Sequence, residues 1–273
     1  MAMSSMLTFR AAAGSHPRMM QPLKFLVHLS AAALGLIGPA AAMVGGAPPS
    51  DSGIAASVIT IIGSRGTFCS GALIAPGLVL SAAHCISAGT DYKIVLYDAA
   101  RTPQLRDVKR VAVHPQFNAA GISSHRASAD VALLQLAQPL SQPVVALGIP
   151  NEPIAAGQSF VVAGIGVTRR GDGKSGGTVR AATLVSTSQP GRLQIRLVDP
   201  AANNLREGLG ACTGDSGAPV AQAQSGRLLV VGVVSWSTGA NSGAGCGGLT
   251  GVTPLTLYRD WVLQTARAWG AGL

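Results

Sequence analysis

Charge is scarce in this 273-residue chain, at 11% of residues, and acids are the rarer kind, 11 against 20 Lys and Arg. Apolar residues make up 48% and glycine fills 35 positions, which excludes a disordered chain and suits a loop-rich all-β domain better than a helical bundle. The basic excess is scattered, with Lys109-Arg110 and Arg169-Arg170 as its only doublets. A nucleic-acid surface needs basic residues gathered on one face, so no nucleic-acid partner is expected. The four cysteines, Cys69, Cys85, Cys212 and Cys246, form no C-x-x-C pair. That excludes a thioredoxin-type site and a zinc ribbon. No internal repeat stands out.

Long apolar runs are also lacking. The charge-free core Phe25–Ile37 has 13 residues, short of the roughly 20 of a membrane span. Lys24 precedes it and Pro39-Ala40-Ala41-Ala42 follows, with Ala40 and Ala42 forming an A-x-A site. Residues 1–42 therefore read as a secretory signal peptide, its start at Met1, Met19 or Met20, and the product as extracellular or periplasmic. Counting on to Val44 gives about 20 uncharged residues, so an uncleaved membrane anchor is the alternative. The leader holds Arg10, Arg18 and Lys24 and no acid, leaving 17 basic against 11 acidic residues, about +6. An even cysteine count behind such a leader favours two disulfides, with three connectivities open.

Short apolar segments recur between turn formers: Ser57–Ile62, Gly71–Ile74, Leu78–Ser81, Lys93–Tyr97, Val131–Leu136, Phe160–Ala163, Leu193–Leu197 and Leu228–Ser235. Only the last segment is helical in spacing. From Pro254 onward, Leu257, Trp261, Val262, Ala266 and Trp269 recur at near-helical intervals. A β-barrel or sandwich closed by a C-terminal helix fits this pattern. The proline-rich stretch Gln138–Pro153 divides the strands into two halves.

Three segments carry chemistry. Ser81-Ala82-Ala83-His84-Cys85 sets a histidine after an apolar strand, and Asp130 heads the apolar run Val131–Leu136. Taken singly, His84 is more often a structural turn histidine and Asp130 a strand-end carboxylate. Cys212-Thr213-Gly214-Asp215-Ser216-Gly217-Ala218-Pro219 brackets a serine with two glycines, which lets successive N–H groups turn into one concavity. Developing negative charge on an oxygen needs such a concavity.

Together these segments resemble the chymotrypsin/trypsin-like serine protease family, in its order of His, Asp and Ser. Val113–Asn118 and Ser235-Trp236-Ser237 are similar to two further family segments. The resemblance covers the chain after residue 42. It implies two six-stranded antiparallel Greek-key barrels, roughly 43–145 and 146–273, the second with a C-terminal α-helix. It implies a catalytic triad of His84, Asp130 and Ser216, an oxyanion hole at the Gly214 and Ser216 amides, and disulfides Cys69–Cys85 and Cys212–Cys246. Ser235, Trp236 and Ser237 would pair with the substrate backbone. Gly210, Ala211, Ser237 and Gly251 would line the specificity pocket. With Gly210 where an acid would select Lys or Arg, cleavage after uncharged residues is expected. Met43-Val44-Gly45-Gly46 stands where the family's mature chain starts, and the Met43 ammonium would pair with Asp215. No propeptide separates it from the A-x-A site, so leader removal would itself activate the enzyme.

The expected partners are protein or peptide substrates, with a membrane only if the leader stays. The expected state is a monomer without cofactor or metal, since no carboxylate cluster resembles the family's calcium loop. The alternative is a non-catalytic homologue that binds partners, although such homologues usually lose a triad residue. Gly164-Ile165-Gly166, Arg170-Gly171-Asp172 and Gly173-Lys174-Ser175 read as parts of a surface loop, because residues 168 and 169 are Thr and Arg where nucleotide loops need Gly.

Overall fold

Gly- and Pro-rich turns cut the apolar sequence into strand lengths, and the strands curl into closed sheets. The computed structural model describes residues 43–97, 102–187 and 192–273; the leader expected over residues 1–42 lies outside them. The first barrel contains β1 (Val58–Gly63), β2 (Phe68–Ala75), β3 (Leu78–Ser81), β4 (Tyr92–Tyr97), β5 (Pro103–Val113) and β6 (Ala132–Leu136), closed in the order β1-β2-β3-β6-β5-β4. The second contains β7 (Ser159–Gly164), β8 (Arg180–Ser186), β9 (Ile195–Val198), β10 (Pro219–Gln224), β11 (Arg227–Ser237) and β12 (Thr250–Pro254), closed in the order β10-β11-β12-β9-β8-β7. All barrel pairings are antiparallel. Closure removes the free edges that an open sheet would expose.

Alternation fills each barrel. Ile59, Ile61, Leu73, Val79, Ile94 and Leu134 form the first core, and Phe160, Val162, Leu184, Ile195, Val220 and Val252 the second. A third cluster, including Leu78, Leu133, Val230, Val233 and Val262, joins the barrels to the C-terminal helix. Cys69 is bonded to Cys85 and Cys212 to Cys246, closing loops of 16 and 34 residues, each worth about 3–4 kcal/mol by chain entropy.

Two short helices complete the described residues. Asn118 caps α1 (Ala119–Ser123), its side chain accepting from the Ala120 amide at 3.0 Å. The helix expected from Pro254 begins later, as α2 (Arg259–Ala268). Pro254 instead ends β12 opposite Gly232, and Leu255–Leu257 forms a single 3₁₀ turn. No helix among the described residues is long and apolar enough to cross a membrane.

The chain's outer segments cross over. Val44 bridges to Gly210 and Pro49 to Arg180, so residues 43–50 lie on the second barrel although they were assigned with the first. Just beyond α2, the Trp269 carbonyl accepts from Arg110 of β5 at 3.1 Å and Gln135 of β6 at 3.2 Å, both in the first barrel.

Candidate active site

His84 sits in a 3₁₀ turn directly after β3, where the Cys69–Cys85 bond ties the next residue to β2. Asp130, fully buried, lies just before β6. Its Oδ1 accepts the His84 amide at 2.9 Å, and its Oδ2 lies 2.8 Å from His84 Nδ1. The Ser235 hydroxyl donates to the same Oδ2 at 2.5 Å. With Nδ1–H donating to the carboxylate, the neutral ring keeps its lone pair on Nε2.

Two consecutive turns present Ser216. Asp215 N–H donates to Cys212 O at 3.0 Å and Ala218 N–H to Asp215 O at 2.9 Å. The third residue of each turn is a glycine at positive φ, +95° at Gly214 and +78° at Gly217, as type II turns require. A Cβ would not fit at either place, coming within 2.7 Å of the Phe68 ring and 2.1 Å of Ser81 Oγ respectively. Ser70 clamps the loop: its hydroxyl donates to Gly214 O at 2.8 Å and its amide to Ser216 O at 2.8 Å. The amides of Gly214 and Ser216 have no acceptor among the described residues. Ser216, His84, Gly214, Phe68, Trp236 and Ser237 line one cleft of about 390 Å³, along with other residues that include no Asp, Glu, Lys or Arg.

The pocket residues divide. Gly210 and Ala211 are buried and do not line that cleft. Ser237 pairs with Thr250, and Trp236 with Gly251. Antiparallel partners share a sheet face, so Gly251 faces the Trp236 indole, which is itself part of the cleft wall. A Cβ there would come within 2.1 Å of Trp236 Cε2. Thr250 is buried, its Oγ1 accepting the Ala211 amide at 3.0 Å.

A family model described as Trypsin matches residues 43–262. The chain belongs to the trypsin family. Among similar curated proteins, vitamin K-dependent protein C of Rattus norvegicus is 33% identical over 219 residues, 71% of this chain and 45% of that protein. Serine protease 1 of Canis lupus familiaris is 31% identical over 216 residues, 74% of this chain and 81% of that protein. The chain thus spans about half the length of the protein C relatives it matches. The solved structure of human heparin binding protein has a TM-score of 0.63 at 24% identity, covering 84% of this chain and all of that one, a likeness of fold.

In this trypsin-family chain the buried carboxylate beside Ser216 is held by amides. Asp215 Oδ1 accepts from Gly166 N–H at 2.8 Å and Oδ2 from Cys212 N–H at 2.9 Å. Burial pushes its carboxyl up to about 7, against the opposing pull of those two bonds. Gly164 and Gly166 leave room for it, since a Cβ on either would come within 2.1 Å and 2.5 Å of its atoms. Their Gly-x-Gly spacing thus serves a carboxylate and not a nucleotide. Met43 is fully buried in the second core, and no cation reaches Asp215 among the described residues. Donor atoms of Cys69, His84 and Cys85 lie within 4.8 Å of one another, but both sulfurs are consumed in the disulfide.

Sequence reasoning missed Ser70. Nothing local marks it, its acceptor Gly214 being 144 residues away.

Proposed function

We propose that this chain is a secreted serine endopeptidase that cleaves after uncharged residues. The supporting observation is the 2.8 Å contact between His84 Nδ1 and a fully buried Asp130, with His84 and Ser216 in one cleft. Ser216 Oγ attacks the scissile carbonyl while His84 Nε2 takes its proton. The imidazolium formed is stabilised by Asp130 and returns that proton to the leaving amine. Water, deprotonated by the same nitrogen, then releases the acyl group and restores Ser216. Amides of Gly214 and Ser216 hold the oxyanion in both halves, each donor contributing about 3–4 kcal/mol. The substrate lies extended along Ser235, Trp236 and Ser237.

Labelling of the leader-free protein with a fluorophosphonate tests the enzyme reading. Stoichiometric modification of Ser216, lost when the protein is unfolded, is expected. A folded protein that takes no label is the non-catalytic homologue instead.

The preference for uncharged residues rests on Gly210 standing where an acid would select Lys or Arg and on a cleft lined by no Asp, Glu, Lys or Arg. Alanyl, leucyl or phenylalanyl amides are expected to exceed arginyl ones in kcat/KM. Faster cleavage of arginyl amides by the unmodified protein would rule the pocket reading out.

A further inference from the structure

A second cavity lies away from the cleft. About 610 Å³ in volume, it lies beside α2 and shares no lining residue with the cleft around Ser216. Ile74 of β2, Val145 and Leu147 of the inter-barrel connection, and Leu263 of α2 give it apolar walls. Arg227 of β11 and Arg259 and Arg267 of α2 add three cations; no Asp or Glu side chain lines it, while Leu273, the last residue of the sequence, does, its α-carboxylate within ion-pair range of none of the three. Among the described residues the ion pairs are His84–Asp130, Lys93–Asp107 and Arg192–Glu152, so none of these three arginines has a carboxylate partner. Arg259 goes further: its Nε is buried without any hydrogen-bond acceptor.

We infer that this cavity binds an amphipathic carboxylate, its head on the arginines and its alkyl tail along Ile74, Val145, Leu147 and Leu263. A buried N–H of a charged group without acceptor is costly, and a bound carboxylate supplies that acceptor. The guanidinium fork matches a carboxylate in two parallel bonds. The volume lies within the range of small-molecule sites. Walls of this kind discriminate against strongly hydrated anions and polysaccharides, which offer no tail to bury. Each methylene added to the tail should tighten binding roughly fourfold while it still fits.

Isothermal titration of the folded protein with octanoate, hexanoate, acetate, octanol and sulfate tests the assignment without using catalysis. Saturable 1:1 binding of octanoate is expected, at least tenfold tighter than acetate, octanol or sulfate, with hexanoate between octanoate and acetate. Arg259→Gln should weaken octanoate about tenfold with Ser216 labelling unchanged. Equal binding of octanol would reduce the site to an apolar groove. Equal or tighter binding of sulfate, or of a heparin-derived oligosaccharide, would reduce it to a basic patch. Either outcome overturns the inference, as does Arg259→Gln binding at full strength. If that variant does not fold, the ligand series on the unmodified protein decides alone.

Discussion

Replacing Ser216 with alanine is expected to lower kcat by about a millionfold while leaving the melting temperature unchanged. The two consequences separate because the loop is built from its backbone. The clamps run through Ser216 O, Gly214 O and the turn amides, none of which the substitution touches. The residual rate would come from substrate binding and the two oxyanion amides alone. Asp130→Asn is the companion test. An amide nitrogen facing Nδ1 would force the proton onto Nε2, leaving no lone pair to accept from Ser216, with a loss of about ten-thousandfold. Steady-state kinetics with a peptide amide, beside thermal melts, read both. A Ser216→Ala protein retaining a tenth of its activity would place the nucleophile elsewhere.

The second large effect concerns the cleavage expected before Met43. In the described structure Asp215 is buried with only amides around it, and its carboxyl stands near 7 rather than 3.8. The folded state therefore holds an extra proton between those values. Its stability is greatest below the unfolded value and falls as pH rises toward 7, by roughly 4 kcal/mol. A free ammonium at Met43 would reverse the sign: the carboxyl would be held down, and stability would be lost as pH falls through its new value. Cleavage between Ala42 and Met43 is thus expected to change the slope of stability against pH between about 4 and 7. One extra alanine before Met43 displaces the ammonium by a residue. Breaking a buried pair costs about 3–5 kcal/mol, so kcat/KM should fall at least a hundredfold. Full activity in the extended protein would exclude this activation route.

How much of this was legible in the sequence depends on how local each feature is. His84, Asp130 and Ser216 stand in short segments whose neighbours are themselves constrained, so the candidate site could be read before the fold. Eight strand segments were legible from their apolar runs. β5 was not, because Arg106, Asp107, Lys109 and Arg110 make it polar and its residues are mostly exposed. β12 was hidden because Gly251 and Pro254 carry no strand signal, yet both pair within a barrel ladder. Ser70 could not be found at all, since its role exists only once the barrels meet.

That meeting is secured by the chain's own outer segments. Residues 43–50 leave the first barrel for the second, while the turn after α2 returns to β5 and β6. Each half therefore holds a strap belonging to the other, as two boards are held by nails driven from both sides. The connection between β6 and β7 need not act as a hinge for the cleft. The spacing between a histidine on one barrel and a serine on the other is then a property of the crossed straps, and opening the cleft would require pulling one of them out.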